Sequence, residues 1–215
     1  GLRWATRRVL GASSCLQPAP ERHYLVSDYL LDRTQNTHAI PAAPLTGPVS
    51  DTTWTTLIAA LTPLQNLDIG YAAYRIGRLD VTEQALTPAA DTHNPTALLN
   101  LGFVLSEQAG REGEAEQVYR DAIAAGNTNA LFSLGNLLSR QAGREGEAEQ
   151  AYRGAATAGD TDALFNLGTL LSEQVGRGVE AEQVYRDAIA AGDTKALNNL
   201  GVLLSRQAGK ETEPE

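Results

Sequence analysis

The sequence is poor in the side chains that most often carry catalysis or bind metals. Its 215 residues include no methionine, one cysteine and three histidines. The single Cys15 excludes an internal disulfide and favours a reducing compartment. His23, His38 and His93 lie far apart, and none has the spacing of a metal site or a catalytic base. We therefore expect no metal, no cofactor and no enzymatic activity.

Positive charge and long apolar runs are also scarce. The formal net charge is −9, which argues against nucleic acid or an anionic membrane surface as a partner. No apolar run approaches the roughly 20 residues of a membrane span. Lysine occurs only at Lys195 and Lys210, whereas arginine and alanine are plentiful, and this bias indicates a bacterial protein. We expect a cytoplasmic location, and the absent initial methionine indicates a fragment or a processed product.

What the chain does contain is an internal repeat of 33 residues. A Leu-Gly pair recurs at this interval, at Leu101-Gly102, Leu134-Gly135, Leu167-Gly168 and Leu200-Gly201. A second glycine recurs at Gly110, Gly143, Gly176 and Gly209, and a Tyr-Arg pair at Tyr119-Arg120, Tyr152-Arg153 and Tyr185-Arg186. A period of this length indicates stacked structural repeats. Each unit is too small to bury its own apolar face and must pack on its neighbours.

One repeat has the pattern of two helices joined by a turn. Asp160 or Thr161 is a suitable N-cap, and leucines then follow at helical spacing until Gly176. A second helix is predicted from about Val179 to Ala191. Its predicted buried residues are spaced three and four apart and are Ala181, Val184, Tyr185 and Ala188.

The outer face of the second helix carries opposite charges four residues apart. The pairs are Glu116/Arg120, Glu149/Arg153 and Glu182/Arg186. Each pair contributes only about 0.2–0.5 kcal/mol to helix stability. The pattern therefore predicts a solvated face rather than a binding site.

These motifs resemble the tetratricopeptide-repeat superfamily, and more closely its Sel1-like branch. The segment AIAAGDTKALNNLG (188–201) is similar to the Sel1-like junction between repeats. Gly176-Arg177-Gly178-Val179 and Ala181-x-x-x-Tyr185-Arg186 are similar to that family's turn and second helix. The units here are a few residues shorter, with the missing residues between the turn and the second helix. The resemblance covers roughly residues 64–215 and implies an all-α, right-handed superhelical solenoid that binds proteins.

The predicted organisation is a non-repeat segment followed by an array. Residues 1–62 are interpreted as a helical N-terminal segment with a proline-rich loop at 37–48, and its helices include one ending near Gly11 and one over Glu21–Arg33. The array comprises a divergent first repeat at 63–96, repeats at 97–129, 130–162 and 163–195, and a half repeat at 196–215.

Comparison of the copies identifies one variable stripe on the first helix of each repeat. Its positions follow an i, i+3, i+7, i+11 spacing, which places them on one narrow side of a helix, away from the repeated leucines. Because the first helix lines the concave groove in tetratricopeptide-like arrays, the resemblance implies that this stripe faces a protein or peptide. The variable stripe consists of Leu99, Phe103 and Glu107; Asn129, Phe132, Asn136 and Arg140; Asp162, Phe165, Thr169 and Glu173; and Lys195, Asn198, Val202 and Arg206.

Two interpretations remain open for the stripe. Its three phenylalanines, Phe103, Phe132 and Phe165, are either peptide anchors or residues that complete the core between helices. The alternation of Glu107, Arg140, Glu173 and Arg206 either sets the polarity of a partner or forms a solvated edge.

Three functional hypotheses follow. The first is a scaffold that binds a peptide or protein segment in the groove. The second is the C-terminal sensor portion of a larger bacterial signalling NTPase, which the missing methionine and the non-repeat residues 1–62 suggest. The third is a self-associating array, because the half repeat 196–215 leaves an apolar helix face uncovered.

Overall fold

The computed structural model describes residues 16–19, 23–26 and 49–211. Between residues 49 and 211 the chain is all-α, which confirms the predicted fold class for this part, and it forms ten helices. They are α1 (Asp51–Ala60), α2 (Asn66–Arg75), α3 (Leu79–Ala90), α4 (Pro95–Ser106), α5 (Glu112–Ala124), α6 (Asn129–Ser139), α7 (Glu145–Thr157), α8 (Thr161–Ser172), α9 (Gly178–Ala190) and α10 (Lys195–Glu211).

The N-terminal part departs from the prediction. Strand β1 (Leu16–Ala19) pairs antiparallel with strand β2 (His23–Val26), so the helix predicted over Glu21–Arg33 is wrong where it overlaps β2. Tyr24 and Val26 have high strand propensity, and pairing with β1 satisfies backbone groups that a short isolated helix would hold only marginally. The predicted helix ending near Gly11 and the loop at 37–48 lie outside the described residues.

The chain forms two compact units, residues 1–111 and 112–215. In the first unit, Ser50 caps α1 by accepting a hydrogen bond from the Thr53 amide at 3.2 Å. Helices α1, α2 and α3 share a core of Trp54, Leu57, Ile69, Ala73, Val81 and Ala85.

The second unit shows the predicted alternation of first and second helices. Asp160 caps α8 through a hydrogen bond from the Ala163 amide at 3.2 Å. Helix α9 buries the residues expected of a second helix, namely Ala181, Val184, Tyr185 and Ala188. The turn glycines Gly143 and Gly176 both have φ of +83°, a conformation that side chains other than glycine rarely adopt.

The Leu-Gly pair has a packing role within the repeat. A Cβ atom added to Gly135 would lie 2.7 Å from the ring of Tyr152, and one added to Gly168 would lie 2.6 Å from the ring of Tyr185. Both rings are buried. The tyrosine of each second helix therefore lies directly against the backbone of the first helix, a fit that only glycine permits.

In helix α10, no tyrosine of residues 49–207 packs against Gly201. A Cβ atom on Gly201 would meet nothing within 4 Å. Leu204 is 39% exposed, whereas its equivalent Leu171 in α8 is fully buried. The apolar face expected for the half repeat is thus exposed, and self-association through it stays a prediction.

Alanine substitutions at Gly168 and Gly201 form a matched test of this packing. Gly168→Ala should destabilise the protein by about 1–3 kcal/mol because its methyl group overlaps the Tyr185 ring. Gly201→Ala should stabilise it by up to about 1 kcal/mol, since alanine is the better helix former and the site is open. Urea unfolding followed by circular dichroism measures both, and equal effects of the two substitutions would contradict the packing role.

Arginines in the turns join one repeat to the next. The guanidinium of Arg144 binds both carboxylate oxygens of Glu116, with Nη2 3.0 Å from Oε1, and also contacts Glu147. Arg120 completes the cluster by pairing with the same two glutamates, Glu116 and Glu147. Because Glu116 is on α5 and Glu147 is on α7, these ion pairs connect successive second helices.

The four-residue cluster of two arginines and two glutamates occurs once more in the second unit, and one of its arginine–glutamate pairs has a counterpart in the first unit. Its second copy joins Glu149, Arg153, Arg177 and Glu180. In the first unit, Arg111 binds Glu83 with both Nη atoms, at 2.6 and 3.0 Å. The predicted i,i+4 pairs are present, but the expectation of a merely solvated face is wrong for Glu116 and Glu149, which each bind an arginine 28 residues later.

Acid should weaken these connections. Hydrogen bonds first from Arg144 and then from Arg120 lower the pKa of Glu116 from 4.5 to about 2. A lowered pKa means that the contribution of Glu116 to stability is complete above about pH 4.5 and is lost as the pH falls towards 2. We expect Glu116→Gln to reduce stability at neutral pH and to flatten the acid-dependent loss, as measured by urea unfolding across this range.

Glu182→Gln is the control for this experiment. Among the side chains of residues 49–207, Glu182 pairs with Arg186 alone, at 2.7 Å. Glu182→Gln therefore removes the same charge from a second helix without breaking a connection between repeats among these side chains. If Glu116→Gln and Glu182→Gln have the same pH dependence, the connecting ion pairs are not its source.

Candidate binding surface on the first helices

Most of the variable stripe lies on α6, α8 and α10 of the second unit. Four of its residues are half-buried: Phe132, Asn136, Phe165 and Thr169. The others in this unit are exposed: Asn129, Arg140, Asp162, Glu173, Lys195, Asn198, Val202 and Arg206. The stripe in this unit is thus accessible along its whole length.

The first unit contains the other three residues of the stripe. Phe103 is half-buried and Glu107 is exposed. Leu99 is buried, with 7% of its surface exposed, so its predicted place on a binding surface is corrected. Its aliphatic side chain belongs to the core rather than to the accessible part of the stripe.

The phenylalanines combine features of both sequence-based interpretations. Phe132 contacts the ring of Tyr152 with a centroid distance of 6.3 Å, and Phe165 contacts Tyr185 at 6.4 Å. The ammonium of Lys195 lies 5.5 Å from the centroid of Phe165. One side of each ring thus packs on the tyrosine of its own repeat, while part of the ring stays accessible.

A hydrogen-bonded cluster surrounds Asn136. Its Oδ1 atom accepts one hydrogen bond from the Tyr152 hydroxyl and one from Nδ2 of Asn166, both at 2.8 Å. Asn136 and Asn166 are on neighbouring first helices, so this cluster connects α6 to α8. Burial raises the pKa of the Tyr152 hydroxyl, which keeps it protonated as a donor.

The equivalent cluster one repeat later is looser. Thr169 takes the place of Asn136, and its Oγ1 atom accepts from the Tyr185 hydroxyl at 3.2 Å. Nδ2 of Asn199 lies 3.5 Å from Oγ1 of Thr169 and 3.4 Å from the hydroxyl oxygen of Tyr185. These distances are at or beyond the upper end for good hydrogen bonds, so the donors are only weakly satisfied.

A cavity of about 150 Å³ accompanies this looser cluster. It lies among α8, α9 and α10, and none of the residues 49–207 that line it is an aspartate or a glutamate. Its lining residues are Thr169, Ser172, Tyr185, Asn199, Val202, Leu203 and Arg206.

The charged residues of the stripe differ in their pairing. Lys195 binds Asp162 at 2.7 Å. Arg140 and Arg206 form no ion pair with any side chain of residues 49–207. No carboxylate of residues 49–207 therefore pairs with these two positive charges.

Sequence reasoning missed the polar residues behind the stripe. It assigned Tyr185 to the core, although the hydroxyl groups of Tyr185 and of its equivalent Tyr152 reach the polar clusters of the first helices. It did not select Asn166 or Asn199, although asparagine precedes the Leu-Gly pair at both positions and also at Asn100. That recurrence was the available signal.

Other kinds of site find little support in the part of the chain that the structure describes. No group of three or more histidine, cysteine, aspartate or glutamate side chains there is arranged to hold a metal ion. None of the helices in that part is both long and apolar enough to cross a membrane.

Comparisons with known proteins support the fold. Neither a protein-family model nor a curated protein matches the sequence. Among solved structures, a Sel1 repeat protein from Oxalobacter formigenes is similar with a TM-score of 0.53 and 21% identity, over 71% of this chain and 67% of that one. The protein MamA is similar with a TM-score of 0.57 and 21% identity, over 68% of this chain and 82% of that one.

A third similar structure is that of YrrB, a tetratricopeptide-repeat protein described as having an unusual peptide-binding site. Its TM-score is 0.57 at 20% identity, over 74% of this chain and 85% of YrrB. At these identities the likeness concerns the fold. The chain has the helical repeat fold of the tetratricopeptide and Sel1-like proteins, which confirms the resemblance seen in its motifs.

Removal of single hydroxyl groups tests the difference between the two polar clusters. Tyr152→Phe should cost about 1 kcal/mol of stability, because it deprives the half-buried Asn136 of a good hydrogen bond. Tyr185→Phe should cost less, since the Tyr185 hydroxyl makes only long contacts, at 3.2 Å to Thr169 and 3.4 Å to Asn199. Urea unfolding of both variants measures this difference, and equal losses would show that the two clusters are equally tight.

Proposed function

We propose that the second unit is a scaffold that binds an extended segment of a protein partner along the variable stripe of α6, α8 and α10. The observation that carries this proposal is the pair of half-buried phenylalanines, Phe132 and Phe165, one repeat apart on neighbouring first helices. Each ring is held against a buried tyrosine and keeps part of its surface accessible.

Such rings suit recognition of a peptide. An aromatic side chain offers a large contact area with few rotatable bonds, and residues of this kind dominate the energetics of many interfaces. Because Tyr152 and Tyr185 already restrict the two rings, a partner would lose little additional side-chain entropy on binding them. The polar clusters beside the rings add hydrogen-bonding groups for the backbone or side chains of an extended segment.

The arginine connections support the same function through rigidity. Arg144 and Arg177 each bind a glutamate of the preceding second helix with both Nη atoms. Bidentate contacts fix geometry as well as adding energy. They connect successive second helices, on which the first helices pack, and so help to organise the surface before a partner arrives. The description of YrrB as a peptide-binding protein of this fold agrees with this proposal.

The test begins with selection from a display library of random peptides on the intact chain. Affinities of selected peptides for Phe132→Ala and Phe165→Ala are then measured by fluorescence polarisation. We expect each substitution to weaken binding by about tenfold or more, as truncation of an aromatic anchor does.

Val179→Ala is the control, since Val179 is an exposed apolar residue on the second helix α9. The selected peptides should bind Val179→Ala with the same affinity as the intact chain. Phe132→Leu and Phe165→Leu keep apolar volume, and thermal melting verifies that all variants are folded. Selected peptides that bind folded Phe132→Ala and Phe165→Ala as tightly as the intact chain would overturn the proposal.

A further inference from the structure

We infer that helix α10 pairs with the α10 of a second copy of this chain, antiparallel and about a two-fold axis. This pairing goes beyond the proposed binding of a peptide, and it uses a different side of α10 from the variable stripe. It rests on an apolar row at intervals of three and four residues, which lies on one side of the helix. The uncovered row consists of Leu197, Leu200, Gly201 and Leu204.

The uncovered row occupies the place that a second helix covers in the preceding repeat. On α8 the equivalent side lies against α9, whose Tyr185 packs on Gly168. On α10, Leu197 is 54% exposed and Leu204 is 39% exposed, and the space beside Gly201 is open. Large apolar side chains exposed on successive turns of one helix indicate an interaction surface.

Within the described residues the chain does not fold back over the row. After α6 and α8, the turn glycines Gly143 and Gly176, both with φ of +83°, reverse the chain and lead it into a second helix. The equivalent Gly209 lies inside α10, which continues without a turn to Glu211. Helix α10 has 17 residues and α8 has 12. The added residues extend α10 along its own axis, so the row needs a partner from outside this helix pair.

The spacing of the row suits pairing with a copy of itself. Its four positions are symmetric about the midpoint between residues 200 and 201. In an antiparallel pair, Leu197 of each copy faces Leu204 of the other. Leu200 then faces Gly201, whose missing side chain leaves room for the leucine. A two-fold interface requires a surface that is complementary to itself in this way.

The pairing buries no charged side chain of the row, since the row contains none. Lys195 and Arg206 belong to the variable stripe, on the far side of the helix from Leu197 by helical spacing. Between the row and the stripe lies an open groove of about 610 Å³, which has room for leucines of the second copy. Its lining residues are Leu197, Asn198, Gly201, Val202, Ser205 and Arg206.

The surface of α1 argues against stacking of copies head to tail. Its exposed residues include Asp51, Thr52, Thr55 and Thr56, and none of its exposed residues is a large apolar one. A polar outer side of this kind is typical of a terminal helix that faces water. It would not match the leucines of α10, whereas a second α10 does. We therefore expect a closed dimer rather than a filament.

The size of the contact predicts a weak dimer. A helix of 17 residues is about 25 Å long and about 10 Å wide, so the pair covers about 250 Å² of each copy. Even if surface relief doubles this area, it stays below the roughly 800 Å² per partner of a standard interface. We expect a reversible dimer with a dissociation constant of about 10 µM to 1 mM.

The first experiment measures the mass of the intact chain by sedimentation equilibrium from about 1 µM to 1 mM. The mass should rise from monomer towards dimer and no further. Leu197→Glu should raise the dissociation constant by about tenfold or more, because it places a charge at the contact with Leu204 of the second copy.

Val175→Glu is the matched control, since Val175 is fully exposed in the turn before α9, away from the row. It introduces the same charge and should leave the dissociation constant unchanged. Circular dichroism and thermal melting at about 1 µM verify that both variants are folded as monomers. Equal weakening in Leu197→Glu and Val175→Glu would overturn the inference.

The second experiment tests the orientation by disulfide formation in a Cys15→Ser background. Leu197→Cys and Leu204→Cys chains are mixed under mild oxidation, and nitrogen-15 labelling of one variant identifies mixed dimers by mass. Antiparallel pairing should favour the mixed disulfide over either self-disulfide by about tenfold, because residues seven positions apart lie about 10 Å apart along a helix, too far for a disulfide. A predominance of self-disulfides would overturn the antiparallel pairing.

The outcome is independent of the proposed function. Phe132→Ala and Phe165→Ala, which should weaken peptide binding, should leave the dissociation constant of the dimer unchanged. A chain that stays monomeric up to about 1 mM would overturn the inference, whether residues 212–215 or a different protein cover the row. Masses beyond that of a dimer would overturn the two-fold pairing.

Discussion

The contact on which the second unit depends is that of a tyrosine ring against a glycine backbone. Tyr152 on Gly135 and Tyr185 on Gly168 bring the two helices of a repeat closer than any side chain would permit. The same contact carries each tyrosine hydroxyl through the repeat to the first-helix side, where it donates to a polar cluster. It also gives each phenylalanine of the stripe a surface to pack on. Each tyrosine therefore contributes both to the core packing of its repeat and to the support of the candidate binding surface.

Ion pairs between repeats add a second constraint. The hydrogen bond between Asn136 and Asn166 connects neighbouring first helices. The ion pairs of Arg144 and Arg177 instead connect neighbouring second helices. A repeat held on both sides has little freedom to rotate against its neighbour. Two of the four carboxylates that bind these arginines are mostly buried, with 17% of the Glu116 side chain and 16% of the Glu149 side chain exposed. Solvent screening therefore weakens the pairs made by Glu116 and Glu149 less than it weakens ordinary surface pairs.

The helix packing is the same in both repeats, and a single variable position changes how the polar cluster of each repeat is hydrogen-bonded. Asn136 closes its cluster, because its amide reaches both donors. Thr169 leaves the equivalent cluster open, because its hydroxyl does not reach far enough. The donors themselves are the same in both repeats, so the difference in the side chain of the acceptor decides which of the two clusters is tight.

The sequence by itself determined the repeat, its two helices and the side of the first helix that varies, because these depend on periodicity and on short-range helical geometry. It did not reveal the strand at His23–Val26, whose stability comes from pairing with a second segment rather than from local preference. Nor did it reveal that Tyr185 reaches Thr169, or that Arg144 binds Glu116. These contacts join residues 16 and 28 positions apart, and only the packing of helices brings them within hydrogen-bonding distance.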